Sequence, residues 1–300
     1  MNKIVNILKP TGMTSHDVVS KVRKILSIKK VGHTGTLDPD AAGVLPICIG
    51  KATKVSDFIL NKDKGYIGEL TLGIITDTYD SSGEIISTKD TSHITEDDIY
   101  KAFESQLGVI MQKPPVYSAL KVNGKKMYEL AREGKSDEIE IKSREINIKE
   151  LKVLSINDKK IRFYVKCSKG TYVRSICYDI GEILGCGGHM SFLIRTSSGK
   201  FNLENSITLE ELDEYYNKGT LDNYLYDIDF VLQNFGHINI KPLAVKSYIN
   251  GAIVYPKGFL DSNIKDEELI RVYSENKFLG VGKIINIDNT KCLKSDKLFI

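Results

Sequence analysis

Asp38 is held between Leu37 and Pro39 in the segment Val31-Gly32-His33-Thr34-Gly35-Thr36-Leu37-Asp38-Pro39-Asp40-Ala41-Ala42-Gly43, where glycine and proline break every periodic pattern. Glycine opens backbone conformations that other residues avoid and proline narrows them, so an ordered loop of this composition can fix a carboxylate that would otherwise wander. Such a carboxylate can attack a carbon or stabilise a developing cation. The same composition also makes an Asx turn in which Asp38 only caps backbone amides. His33 could move a proton near neutral pH or press against a nucleobase, or could be a satisfied loop histidine. Asp77 and Asp80 flank Tyr79 and suggest a carboxylate cluster, although Thr76-Asp77-Thr78 is also ordinary turn chemistry. Gly32-His33-Thr34-Gly35 lacks the Gly-Lys-Ser/Thr ending of a P-loop and the Gly-x-Gly-x-x-Gly spacing of a dinucleotide fold. No Gly-x-Ser-x-Gly nucleophile elbow is present, and no His/Cys/Asp grouping has metal-ligand spacing.

The elements that must position these residues are legible in part. Thr14 with Asp17 predicts a capped helix whose apolar stripe is Val18, Val19, Val22, Ile25 and Leu26, with Lys21, Arg23 and Lys24 largely off it. Thr95 with Asp98 and Thr208 with Glu211 open two more helices. Tyr66 to Gly73 reads as a strand, Asp80 to Gly83 as a turn before Glu84 to Ser87, and Ile139 to Ile141, Leu151 to Ile156 and Ile161 to Cys167 as further strands. Ser168-Lys169-Gly170-Thr171-Tyr172-Val173-Arg174 leads into a helix that Gly185-Cys186-Gly187-Gly188 stops, so Arg174 sits at a loop-to-helix junction. These elements predict one mixed α and β core. Turns around Gln233 to Gly236 offer a boundary, beyond which Ile249 to Val254, Leu269 to Tyr273 and Phe278 to Ile287 predict a small β-rich domain.

A chain of 300 residues with 41% hydrophobic and 27% charged residues is neither disordered nor fibrous. The start is too short in apolar residues for a signal peptide, and no run such as Ala41 to Ile49 can span a bilayer, which predicts a soluble, cytoplasmic protein without a membrane partner. Five cysteines without a Cys-x-x-Cys pair predict buried small side chains in a reducing compartment rather than a disulfide framework. The net charge of +3 names no partner, but residues 1 to 70 carry 11 Lys/Arg against 6 Asp/Glu, and residues 204 to 229 carry 8 acids and one lysine. On separate faces, the first stretch and the basic segment Lys166 to Lys200 would attract a polyanion and the acidic stretch would repel it.

Gly32 to Pro46 resembles the catalytic motif of the bacterial TruB family of tRNA pseudouridine synthases. In order along the chain, Lys9-Pro10-Thr11-Gly12, Tyr66, Gly73 to Asp80, Pro114 to Lys121, Lys169 to Arg174 and Leu193 to Phe201 resemble other segments of that family. Phe278 to Gly282 and Leu293 to Phe299 resemble its terminal module. Ile194, where many relatives carry arginine, and Ser295, where proline is frequent, depart from the pattern. The resemblance implies an α+β chain: a pseudouridine synthase fold with a central mixed, largely antiparallel sheet over residues 1–232, an RNA-binding insertion near 114–150, and a small PUA-like β domain over 236–300. It further implies isomerisation of uridine to pseudouridine at position 55 in the T-loop of tRNA after base flipping, with no organic cofactor and no metal.

In that reading Asp38 is the key carboxylate, and Arg174 orients it and keeps its pKa low. Tyr66 stacks on the base and takes part in C5 proton transfer, Tyr172 and Leu193 line the pocket, and His33 fills the space that the flipped base leaves. Lys9 corresponds to a family position beside the loop, in a structural role or on a phosphate. The early basic segment and Lys121 to Arg132 grip the T-arm, and the terminal module touches the acceptor side of the tRNA. A monomer without an obligate protein partner is expected. A non-catalytic RNA-binding protein would share the charge pattern without requiring Asp38, Tyr66 and Arg174 together, and an enzyme of the same chemistry could act on another RNA site.

Overall fold

Three Ser/Thr-x-x-Asp/Glu pairs start helices where expected, because each satisfies backbone amides that the first helical turn leaves open. Thr14, Thr95 and Thr208 each accept from the third helical residue, whose carboxylate bonds back, opening Ser15–Leu26, Glu96–Glu104 and Leu209–Asn217. The chain is described by a computed structural model over residues 1–118, 120–122, 124–134, 141–260 and 269–300. The strand expected at Ile139 to Ile141 falls mostly outside the described residues.

Strands sort into one large sheet in the order Leu225–Tyr226, Ile4–Lys9, Ala42–Ile49, Gly188–Ser198, Lys64–Leu72, Lys160–Cys167, Arg144–Asn157 and Gly108–Gln112, with Val31–His33 and Phe201–Asn202 attached at its side. Neighbours are antiparallel except Ala42–Ile49 beside Gly188–Ser198, which run parallel and pair only through Ile194 with Ala42 and Arg195 with Gly43. The mixed, largely antiparallel sheet is therefore as expected. One face packs on helix Val173–Ile183 and helix Glu96–Glu104 through Leu70, Phe163, Ile176 and Phe103. Helix Ser15–Leu26 covers another part through Val18, Val19 and Val22, which meet Ile7, Leu45 and Leu212.

A second sheet of His237–Asn239, Ile270–Ser274, Lys277–Ile287 and Thr290–Leu298 forms the small β-rich terminal unit. Val281 and Phe299 of this unit join a shared cluster with Ile4, Val44, Cys48 and Leu232. Ile249 to Val254 departs from the strand expectation: Pro242–Ile249 is a helix with proline in its first turn, and the chain then turns through Gly251 at φ +78°. Proline fits that first turn because its missing N–H would have no helical partner there.

The charge runs also differ from expectation. The acidic helix Leu209–Asn217 packs against the basic helix Ser15–Leu26, and Lys3 pairs with Asp227 at 2.5 Å, so the two runs adjoin and partly neutralise each other. All five cysteines are buried and free. Among the described residues no helix is long and apolar enough to cross a membrane.

Gly43 is where the sheet tolerates no side chain. A Cβ built there would lie 2.2 Å from the Arg195 carbonyl oxygen, and its φ is +117°. Gly43→Ala is expected to lower stability by more than about 2 kcal/mol. Gly185→Ala, at a positive φ with open space around it, should lose only about 1 kcal/mol. Urea unfolding of the two variants measures the difference, and equal midpoints would show that the strands separate freely at Gly43.

Candidate active site

The sheet and helix Val173–Ile183 bring Asp38 and Arg174, 136 residues apart, to one place. Arg174 is the second residue of that helix, with its side chain 7% exposed. Its Nε lies 3.1 Å from Asp38 Oδ2, in an ionic contact not aligned as a hydrogen bond, and its Nη2 lies 3.5 Å from Oδ1. The remaining donors are committed elsewhere: Nη1 donates to Asp80 Oδ2 and the Thr78 carbonyl, both at 3.1 Å, and Nη2 donates to the Tyr117 carbonyl at 3.0 Å. A guanidinium tied at several points cannot swing, so it presents one fixed edge to Asp38.

Asp80 was visible in the sequence only as half of an undecided cluster. Here Asp77 closes a turn by accepting from the Glu84 amide at 2.9 Å, whereas Asp80 accepts from Thr78 Oγ1 at 2.7 Å and Ser82 Oγ at 2.6 Å and faces Arg174. Tyr79, at φ +63°, makes the bend between them. Spacing along the chain could not reveal this role, because the partner arginine comes from a distant helix.

Backbone bonds shape the Asp38 loop. The Asp38 carbonyl accepts from the Ala41 amide at 3.1 Å, the Ser15 hydroxyl accepts from the Leu37 amide at 2.8 Å, and the Pro39 carbonyl accepts from the Gly12 amide at 2.9 Å. Lys9 is fully buried, its ammonium donating to the carbonyls of Pro10 at 2.7 Å and Pro39 at 3.0 Å. Burial lowers the Lys9 amine to about 8, with Asp38 pulling it back up. Lys9 therefore supports the loop from below, and no phosphate contact is open to it in this arrangement.

The Asp38 side chain remains 40% exposed, so the carboxylate can be reached from outside. Burial by surrounding atoms pushes its pKa above the ordinary carboxylate range, with Arg174 opposing and Asp80 adding to the rise. The expectation of a lowered pKa is thus reversed, because burial outweighs the Arg174 charge and Asp80 adds to the rise. Solvent at the exposed side moderates the rise in the free protein, and a ligand closing over the loop would strengthen it.

Tyr66 and Leu193 stand on adjacent strands and share a buried cluster with Leu37 and Ala41. Burial raises the Tyr66 phenol, while the Arg195 charge lowers it. His33 ends strand Val31–His33, and its Nδ1 accepts from the Gly35 amide at 3.3 Å, which leaves the ring proton on Nε2. Burial and then Arg195 lower its pKa, favouring a neutral ring able to stack. Tyr172 caps the Arg174 helix; Gln112 grips its amide at 2.8 Å and its carbonyl at 3.0 Å, and the Arg144 guanidinium lies 4.7 Å from its ring centre. Gln112 and Arg144 were not singled out from sequence, since a glutamine in a short strand carries no motif. Among the described residues no group of three or more His, Cys, Asp or Glu side chains converges as a metal site.

Residues 23–173 match the TruB family pseudouridylate synthase N-terminal domain, and residues 174–233 match the tRNA pseudouridylate synthase B C-terminal domain. The chain is similar to the tRNA pseudouridine synthase B of Clostridioides difficile (strain 630), at 65% identity with 100% of both chains covered. It is also similar to that of Alkaliphilus oremlandii (strain OhILAs), at 49% identity over 98% of this chain and 97% of the relative. Among solved structures, a chain of an H/ACA RNP bound to a substrate RNA containing 2′-deoxyuridine superposes with a TM-score of 0.72 at 28% identity, covering 99% of this chain and 85% of the other. A Cbf5-Nop10-Gar1 complex gives 0.72 at 30% identity with the same coverage.

The carboxylate environment can be checked without RNA. In a carboxyl-resolved NMR titration, Asp38 is expected to titrate above the ordinary aspartate value of about 4. Asp80→Asn removes a neighbouring negative charge while the Thr78 and Tyr117 carbonyls still hold Arg174, so the midpoint should fall. An upward move on that substitution would overturn the account.

Proposed function

The chain belongs to the TruB family of pseudouridylate synthases, and from that membership together with the Asp38–Arg174 geometry we propose that it acts on uridine 55 in the T-loop of tRNA. It is an enzyme of the tRNA pseudouridine synthase B kind, an isomerase that converts uridine in tRNA to pseudouridine. The single observation that carries the finer reading is a carboxylate fixed by a multiply anchored arginine, open on one side, beside a buried tyrosine and leucine.

Isomerisation breaks the N1–C1′ bond, turns the freed base, joins C5 to C1′, and moves one proton from C5 to N1. Asp38 faces the ribose or base of a nucleoside that has left its stack, because the half-buried carboxyl keeps an exposed side that such a nucleoside can reach. Arg174 holds the carboxylate at a fixed angle and supplies the opposite charge that favours its ionised form. Tyr66 packs against the base and takes part in the C5 proton transfer. Leu193 and Tyr172 line the pocket, and neutral His33 occupies the gap left in the RNA stack. Lys9 acts through the backbone of Pro39 rather than through substrate.

Residues 1–232 form the catalytic unit, with an insertion near 114–150 that grips RNA. Its described part includes a hairpin of Lys121–Val122 with Lys125–Lys126 and the helix Met127–Arg132. Residues 236–300 form the PUA-like unit, which touches the acceptor side of the tRNA. The folded shape of the T-arm supplies much of the recognition, with phosphate contacts adding salt-dependent affinity. The enzyme acts as a monomer without a further protein.

Purified protein incubated with unmodified tRNA transcript, followed by position-resolved pseudouridine detection, tests both substrate and residue. Conversion is expected in the T-loop at position 55; conversion only elsewhere would refute the site assignment. Asp38→Ala should abolish conversion while retaining tRNA binding, and a fully active variant would remove Asp38 from the chemistry. Asp38→Ala is expected to leave the folded state intact, since the loop is held through backbone carbonyls.

A further inference from the structure

Arg195 is the largest fully buried side chain among the described residues, 1% exposed, and it lies in the strand between those that carry Gly43 and Tyr66. Buried arginines ordinarily face a carboxylate. Among the described residues no carboxylate pairs with this one. Its Nε donates to the Val44 carbonyl at 2.7 Å, its Nη2 to the Gly35 carbonyl at 3.3 Å and its Nη1 to the Thr36 carbonyl at 3.5 Å. Three donors thus reach the backbone on either side of Asp38. On the opposite strand its register partner is Tyr66, whose phenol lies close enough for the guanidinium to act on it by charge and hydrogen bond.

We propose that Arg195 is a positioning residue for the isomerisation: it ties the Asp38 loop to the strand beside Tyr66 and supplies the positive charge against which the Tyr66 phenol moves a proton from C5 to N1 of the base. This rests on the reading of Tyr66 and uridine given above. After C5 has joined C1′, the base carries a surplus hydrogen on C5 and lacks one on N1. The phenol gives its proton to N1 and takes the one from C5, so a single hydrogen changes place, no oxidant or reductant is needed, and Tyr66 ends as it began. In the interval the phenolate sits beside a guanidinium that has no other anion to neutralise it.

Burial alone would oppose such an interval, since it raises the phenol, and Arg195 is the group that lowers it. The other cations of the site are engaged elsewhere. Arg174 is shared by Asp38 and Asp80, and Lys9 serves the Pro10 and Pro39 carbonyls. An apolar side chain of similar volume at 195 would avoid desolvating a charge. It would also leave the Gly35, Thr36 and Val44 carbonyls without their donor and Tyr66 without its cation. One guanidinium is thus bonded to the carboxylate loop and stands beside the phenol in the strand register, which couples the position of the loop to the charge at Tyr66.

The test compares Arg195→Lys, Arg195→Met, Tyr66→Phe and the Arg195→Met/Tyr66→Phe double variant, using tRNA carrying hydrogen or deuterium at uridine C5 in single-turnover reactions. Tyr66→Phe is expected to slow conversion and enlarge the C5 deuterium isotope effect. Arg195→Met should slow conversion by about 10²-fold, leave the dissociation constant for tRNA near that of the wild type, and enlarge the same isotope effect. Arg195→Lys, which keeps a charge but loses the fork, should recover part of the rate. The double variant should be no slower than the slower single variant. A slowed Arg195→Met with an unchanged isotope effect and losses that multiply with those of Tyr66→Phe would reduce Arg195 to loop support and overturn the proposal. Should Arg195→Met fail to fold, Arg195→Gln, which removes the charge but keeps a donor for the loop carbonyls, decides: an unchanged isotope effect in that folded variant overturns it equally. Failure of the wild type to convert uridine would refute the functional reading instead.

Discussion

One arginine shared between two aspartates is the interaction on which the site depends. A carboxylate with one open side is useful to a reaction only if it stays charged and stays in place, and both demands fall on Arg174. Asp80 and the carbonyls of Thr78 and Tyr117 fix the guanidinium before it reaches Asp38. Asp38 thus receives a pre-positioned ion without having to order it. Breaking a fully buried pair of this kind costs about 3–5 kcal/mol. Solvent at the exposed side of Asp38 makes the value smaller here. Burial holds Asp38 above the usual carboxylate range, and an Arg174 charge shared with Asp80 does not offset it. A carboxylate only partly neutralised retains basicity and reactivity that a fully compensated one would lose.

Much of this arrangement was legible because its local parts obey local rules. Three capping boxes announce three helices, and Gly185 to Gly188 ends the helix whose second residue is Arg174, so the junctional position of that arginine followed from periodicity. Asp38 stood out because proline and glycine crowd its loop. The central strands were less visible. Ala42–Ile49 is buried on both faces for nearly its whole length, so it shows no alternation, and Pro46 within it looks like a break. Its carbonyl nonetheless takes both the amide and the hydroxyl of Thr34. Ile249 to Val254 failed for the opposite reason: a short apolar run has no period that separates a strand from the end of a helix.

The site residues divide in the same way. The family resemblance supplied Asp38, Arg174, Tyr66, Tyr172, Leu193, His33 and Lys9, but it could not say how they are held. Asp80 acts through a partner 94 residues away along the chain, Gln112 through one 60 away, Arg144 through one 28 away and Arg195 through carbonyls 151 to 160 away. Contacts of that separation exist only after the sheet has formed. Charge runs misled for a related reason: helices Ser15–Leu26 and Leu209–Asn217 are distant in sequence but adjacent across a shared apolar core, so opposite charges adjoin where sequence alone suggested opposed faces.

The placement of rigidity has a physical consequence for the reaction. Tyr66, Leu193 and Arg195 sit on paired strands near the centre of the sheet, where backbone bonds and neighbours on both sides limit movement. Asp38 and His33 lie at the loop between the two strands Val31–His33 and Ala42–Ile49. In the proposed reaction a nucleoside leaving its stack would meet a fixed wall on one side and a loop tethered at several backbone atoms on the other. The parallel contact of Gly43 with Arg195 is where wall and loop join. Because that contact is made by backbone, with no Cβ between, the strand that follows the Asp38 loop lies directly against the strand that carries Arg195. Under the proposed function, reorganisation on substrate entry would fall on the RNA, which must unstack its base, rather than on the protein groups that meet it.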